Sequence, residues 1–209
     1  MNILAIGAHA DDVELGAGGS LLKWARAGHS VTIYTATNSE YRSPDGKLIR
    51  SAAVAAKEAE TAAAVFGADL ITGPFDCFQL DFGSALNVAL LDIVQSVRPD
   101  LVVSHWSGDT HPDHKALAQA TLHTAKHVPR ILQYASNWYM GCESFDARYF
   151  VDISETLEDK LKLIEIYASE NARSGGKWID FFRNQAAMYG SINGVSYAEP
   201  FHAIRFLEG

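Results

Sequence analysis

The sequence predicts an α/β fold: a Rossmann-like, mostly parallel sheet with helices on both faces. Two observations carry this. Short apolar runs without alternation, Ile3-Leu4-Ala5-Ile6 and Leu101-Val102-Val103, have the composition of strands covered on both faces. Between such runs lie segments with helical spacing of apolar residues, and strands alternating with helices imply right-handed crossovers and a parallel sheet. The 209 residues, 48% of them hydrophobic, suffice for one such domain spanning 1–209.

In order, residues 2–8 are the first predicted strand. Leu21, Leu22, Trp24 and Ala25 share helical spacing, so a helix is expected from Gly18 to Ala27, closed by Gly28-His29. Ser30 to Thr37 is rich in β-branched residues and reads as the second strand. The polar segment Asn38 to Gly46, with its turn signal Ser43-Pro44-Asp45-Gly46, is expected to be an exposed loop. An Ala-rich helix from about Arg50 to Phe66 stops at Gly67; a short strand, Asp69 to Thr72, and a helix, Ser84 to Val97, follow. Leu101 to Trp106 is the next buried strand. A helix from Lys115 to about His127 comes after it, with Pro112 suited to its first turn. Ile131 to Ser136 and Tyr149 to Ile153 read as strands, Ser154 as the cap of a helix to about Ala168, Trp178 to Tyr189 as the last helix, and His202 to Leu207 as the closing strand.

A formal net charge of −8, with no block of Lys or Arg, argues against a nucleic-acid partner. No apolar run is long enough to span a bilayer, and the start MNILAIGAHADD lacks a leader pattern, so a cytoplasmic enzyme is expected. Cys77 and Cys142 are isolated and suggest neither a disulfide framework nor a thiolate metal site.

Two loops depart from ordinary strand-to-helix turns. The first carries His9, Asp11, Asp12 and Glu14; the second carries Asp109, His111, Asp113 and His114. In doubly wound sheets the first and fourth strands are commonly neighbours where strand order reverses, and ligands bind at their carboxyl ends, where both loops fall. Carboxylates crowded beside a core are costly to desolvate, and a cation removes that cost. A catalytic zinc site takes three protein ligands and leaves a position for water. His9, Asp12 and one histidine of the second loop supply that number. Asp11 must point away from Asp12, since successive residues do not share a face, which leaves it available as a base. Gly16, Gly18 and Gly19 do not form a dinucleotide-binding turn, because Leu21 stands where the third glycine belongs. No G-x-S-x-G elbow is present.

Ala8-His9-Ala10-Asp11-Asp12-Val13-Glu14 resembles the AHPDD-x-E motif, and His111-Pro112-Asp113-His114 the H-x-D-H motif, of the PIG-L/LmbE family of zinc-dependent N-deacetylases. Lys57-Glu58-Ala59-Glu60, Val151-Asp152-Ile153-Ser154 and Tyr197-Ala198-Glu199-Pro200-Phe201 extend the resemblance across most of the chain. It implies removal of an acetyl group from an N-acetylated amino sugar or its conjugate, with Zn²⁺ held by His9, Asp12 and His114. It further implies Asp11 as general base, His111 as donor to the oxyanion, Asp113 as the group orienting His111, and a homo-oligomer, a trimer or hexamer. Ala10 stands where the family usually has proline. Where the family often carries an arginine before the glutamate matching Glu58, this chain has Val54 or Ala55, so substrate contacts are expected to fall to Arg50 or Arg42 or to be absent.

Glu14 reads either as a further ligand or as a helix-start carboxylate. Asp109 reads as a loop cap, and His29, His105, His123 and His127 as structural or surface. His202 is a candidate for the cavity. Trp138 and Tyr139 are candidates for stacking on a sugar or for packing, and Trp24 and Trp178 for the core. Two other functions fit His and Asp clusters: a phosphoesterase with two bridged metals, and a metal-stabilised sugar-binding module without turnover.

Overall fold

Ile3, Leu4, Ala5 and Ile6 are all buried, and they form the centre of strand β1 (Asn2–Gly7) in the structure, a computed structural model that describes residues 1–139, 141 and 143–208. Cys142 therefore lies outside the described residues. The chain continues through α1 (Asp12–Arg26), β2 (Ser30–Thr37), a ribbon of β3 (Tyr41–Arg42) and β4 (Leu48–Arg50), α2 (Ala52–Phe66), β5 (Asp69–Phe75) and α3 (Ser84–Val97). It then forms β6 (Leu101–His105), α4 (Pro112–Thr124), β7 (Arg130–Tyr134), β8 (Tyr149–Asp152), α5 (Leu157–Ile166), α6 (Ala168–Arg173), α7 (Lys177–Asn193) and β9 (Ala198–Phe206). Among the described residues no helix is long and apolar enough to cross a membrane.

The main sheet has the order β5-β2-β1-β6-β7-β9-β8. Its first five strands are parallel, and β9 runs antiparallel to both β7 and β8. Side chains along β1 alternate between two cores. Ile3 and Ala5 pack with residues of α1, α2, α5 and α7, while Leu4 and Ile6 pack with residues of α3 and α4. The chain winds outward from β1 through β2 to β5, then crosses by α3 to β6 on the other side of β1. Strand order reverses between β1 and β6, as the sequence predicts, and a crevice opens at their carboxyl ends.

The structure differs from the sequence reading at several helix ends. The first helix begins at Asp12, not Gly18, and holds all three glycines in its interior. A glycine costs a helix about 1 kcal/mol relative to alanine, so propensity gives no reason to extend the helix back through Gly16. Packing overrides that cost. A Cβ on Gly16 would fall 2.0 Å from the Tyr134 ring, and one on Gly19 would fall 3.0 Å from Ile153 and 3.1 Å from the Glu199 carboxylate. Helix α4 starts at Pro112, three residues before the expected Lys115, with His111 as its N-cap. Ser154 does not cap α5: its hydroxyl turns to Asp152, and Thr156 stands at the N-cap with its own hydroxyl on the Gly19 carbonyl. That helix ends at Ile166 and not near Ala168, where α6 begins. The polar Asn38 to Gly46 segment contributes Tyr41 and Arg42 to a small antiparallel ribbon.

Candidate metal centre and active site

Three elements bring three donors to one point. His9 leaves the end of β1, Asp12 opens α1, and His114 lies in the first turn of α4. His9 Nδ1 is 3.3 Å from Asp12 Oδ2 and 3.3 Å from His114 Nε2, and His114 Nε2 is 3.2 Å from Asp12 Oδ1. Ligands about 2.0–2.1 Å from a tetrahedral ion stand roughly 3.3 Å apart, so this triangle has the size such an ion requires.

The layer behind the triangle sets its tautomers. His9 Nε2 bonds Asp113 Oδ2 at 3.0 Å, and His114 Nδ1 bonds Asp109 Oδ2 at 3.0 Å. Each carboxylate accepts a ring proton from the far nitrogen, leaving the near nitrogens of both rings as lone pairs aimed at the same place. Asp12 is held by the Ser136 hydroxyl at 3.0 Å and the His9 amide at 2.8 Å. Burial opposes charge on both imidazoles. Asp113 and Asp12 nonetheless raise His9 well above its ordinary value, and Asp12 with Asp109 takes His114 to about 9. Burial likewise opposes the Asp12 carboxylate, but His114 and His105 hold it well below the usual carboxylate range. The site is thus built to receive positive charge.

Two sequence expectations change here. Asp109 is more than a loop cap, since it orients His114, accepts from the His111 amide at 2.8 Å and is bonded by Asn137. Asp113 does not orient the ring of His111 through its carboxylate, as the resemblance implied. That carboxylate is committed to His9 and to the amides of Phe78, at 2.6 Å, and Leu80, at 3.2 Å. Residues two apart at a helix start do not face each other, so His111 meets only the Asp113 backbone, whose amide donates to Nδ1 at 3.2 Å. This places the proton of the neutral ring on Nε2. Burial first, then the nearby charges of His114 and His9, lower His111 to about 4, so at neutral pH it is an uncharged donor.

Asp11 stays out of the triangle. It has φ 127°, a strained conformation for a residue with a side chain, of the kind that clusters at functional sites. Its carboxylate lies 3.2 Å from Arg50, which also donates to the Ala10 carbonyl at 3.0 Å and to Glu58 at 2.8 Å. Burial, with Asp12 and Glu170 adding to it and Arg50 opposing, raises the Asp11 carboxyl well above the ordinary range. Ala10 donates its amide to the Ser39 hydroxyl at 2.9 Å, a bond that a proline there could not make. His105, read as structural, is buried directly behind the triangle: its ring stacks on His114 at 3.9 Å, and Nε2 lies 3.0 Å from the Ala8 amide and 3.2 Å from Asp12.

A cavity of about 570 Å³ opens over these residues. Its wall includes Arg50 and not Arg42, which pairs with Glu40 at the surface. Trp138 and Tyr139 line it, as does Trp178, which is also part of the core. The sequence reading missed Tyr41, Phe78, Glu170, Arg173 and Lys177. Only the Ser174-Gly175-Gly176 break before α7 marked that segment locally. Glu14 is buried beside the cavity without lining it, and burial raises its carboxyl to about 7. His202 lies outside the wall, bonded to the Asp146 carbonyl at 2.9 Å.

A reversed-order parallel sheet with a largely buried His-Asp-His triangle at its switch point is an α/β protein with a candidate metal centre. Residues 4–125 match the PIG-L family, described as GlcNAc-PI de-N-acetylase, and the chain belongs to that family. It is 30% identical over 168 residues to an uncharacterised deacetylase of Escherichia coli, covering 73% of this chain and 82% of that protein. A diacetylchitobiose deacetylase of Thermococcus kodakarensis is 25% identical over 229 residues, covering 99% of this chain and 83% of the relative. Among solved structures, a conserved protein of Thermus thermophilus superposes with a TM-score of 0.82 at 26% identity, covering 100% of this chain and 97% of the other.

Proposed function

We propose that this protein is a zinc-dependent N-deacetylase acting on an N-acetylated amino sugar or its conjugate. The observation that carries the reading is the triangle of His9, Asp12 and His114, with both imidazoles oriented by carboxylates and a strained, separate carboxylate, Asp11, beside it. When bound, a zinc ion would polarise the acetyl carbonyl and lower the pKa of water from about 15.7 to about 7. Asp11 takes the proton of the water as its oxygen bonds to the carbonyl carbon. It returns that proton to the amine nitrogen as the C–N bond breaks. His111 donates from Nε2 to the carbonyl oxygen as negative charge develops, a contribution of roughly 10²–10³ in rate. Arg50 holds Asp11 in place and opposes the burial that favours its protonated form.

The test is acetate release from a panel of N-acetyl sugars by zinc-loaded protein, together with metal analysis. About one ion per chain and an Asp11→Asn variant that keeps its metal but loses roughly 10²–10⁴ in kcat are expected. Two ions per chain with phosphoester hydrolysis would point to a phosphoesterase. Sugar affinity without acetate release would point to a binding module.

A further inference from the structure

The charged groups on the cavity wall cancel in pairs, save one. Asp12 sits among three histidines, Asp11 faces Arg50, and Glu170 pairs with Arg173 at 2.5 Å. Lys177, the first residue of α7, is exposed at the rim, and among the described residues no carboxylate lies within 4.0 Å of its ammonium. The ammonium instead stands 5.9 Å from the centre of the Trp138 ring, while Arg173 lies 5.8 Å from that of Tyr41. Both aromatic rings also line the cavity. A lysine in the first turn of a helix opposes the helix dipole, so the position brings no stability of its own. It is also a local excess of positive charge on a chain whose net charge is −8. A neutral N-acetyl sugar would leave it unanswered.

We propose that Lys177 is a specificity determinant that selects substrates bearing an anionic substituent, a phosphate or a carboxylate, in addition to the N-acetyl group. The inference rests on the deacetylase reading. Its partner chemistry follows from the group itself: an ammonium near an indole ring presents charge-assisted donors at a solvent-facing rim.

The experiment compares kcat/KM of zinc-loaded protein for N-acetylglucosamine, its 1-phosphate, its 6-phosphate and an N-acetylamino uronic acid, at about 0.02 and about 0.5 M salt. Phosphate and uronate arms distinguish the two anions. Wild type is expected to favour at least one anionic substrate by roughly three- to tenfold, the preference shrinking at high salt. Lys177→Gln should bring the ratio near one, and Lys177→Arg should restore most of it. Equal rates on neutral and anionic substrates would overturn the proposal and leave the deacetylase reading standing. So would a preference that survives Lys177→Gln, since the anion would then be held elsewhere, the metal included. Calorimetric binding of glucosamine 6-phosphate and 1-phosphate, against glucosamine, measures the charge selection without turnover. If no substrate releases acetate, the deacetylase reading fails; equal affinities in wild type and Lys177→Gln overturn the charge selection itself.

Discussion

At the scale of single residues, each imidazole of the candidate centre is fixed from behind. Asp113 and Asp109 touch the far nitrogens of His9 and His114, so removing either charge loosens a ring without removing a ligand. Asp113→Asn is expected to weaken zinc affinity by roughly 10–100-fold, read by competition with a chelator of known affinity. Glu14 supplies a second prediction. Its folded pKa of about 7 lies above its unfolded value, so the unfolded chain binds fewer protons between these values and stability falls as pH rises through them. Glu14→Gln removes that loss while keeping a partner for the hydroxyl of Tyr167. In metal-free protein the variant should match wild type in Tm near pH 4, and its advantage should grow up to about pH 7 and then level off. A Tm difference independent of pH would show that the carboxyl is not held neutral by the fold. Which residues gather at the candidate centre was legible in the motifs. What each one touches was not, because Asp113 accepts from the amides of Phe78 and Leu80, more than thirty residues away in sequence.

At the scale of elements, the first helix shows packing overruling propensity. Gly16, Gly18 and Gly19 are helical despite their low propensity because α1 lies close over β7 and against the β8–α5 connection. The three positions therefore respond differently to alanine. Gly18→Ala meets Lys160 Cγ at 3.5 Å, ordinary contact, and should stabilise by up to about 1 kcal/mol through helix propensity. Gly16→Ala drives a methyl into the Tyr134 ring, whose hydroxyl donates to the Ile6 carbonyl at 2.8 Å. Overpacking costs about 1–3 kcal/mol or more, and about 2–4 °C of Tm per kcal/mol at this chain length, so a thermal melt should show opposite signs for the two variants. Strands were legible to within a residue or two wherever they were uniformly apolar. Helix starts were not, because a cap and a close contact depend on what lies alongside.

At the scale of the whole molecule, a buried ion pair ties the end of the chain to its beginning. Lys160 from α5 bonds the Leu15 carbonyl at 2.8 Å and Glu199 of β9 at 2.6 Å; Glu199 also accepts from the amides of Gly19, at 2.9 Å, and Ser20, at 2.6 Å. This joins α1, α5 and β9. Lys160→Met leaves the carboxylate buried without its cation and should cost roughly 3–5 kcal/mol, seen as a lower urea midpoint. Adding Glu199→Gln should recover part of that loss, because the uncompensated charge is then gone. An additive double variant would mean that the two side chains do not act as a pair.

The sequence by itself determined the strand and helix alternation, the switch point between β1 and β6, and the residue types gathered there, because buried apolar runs and crowded carboxylates have few structural explanations. Only the tertiary structure decided the partners: Asp113 for His9, Asp109 for His114, Arg50 for Asp11, and for Lys177 no carboxylate within 4.0 Å among the described residues. The first of these contacts joins segments about a hundred residues apart. No local pattern encodes them, since their energy arises from burial and proximity that exist only once the sheet has closed.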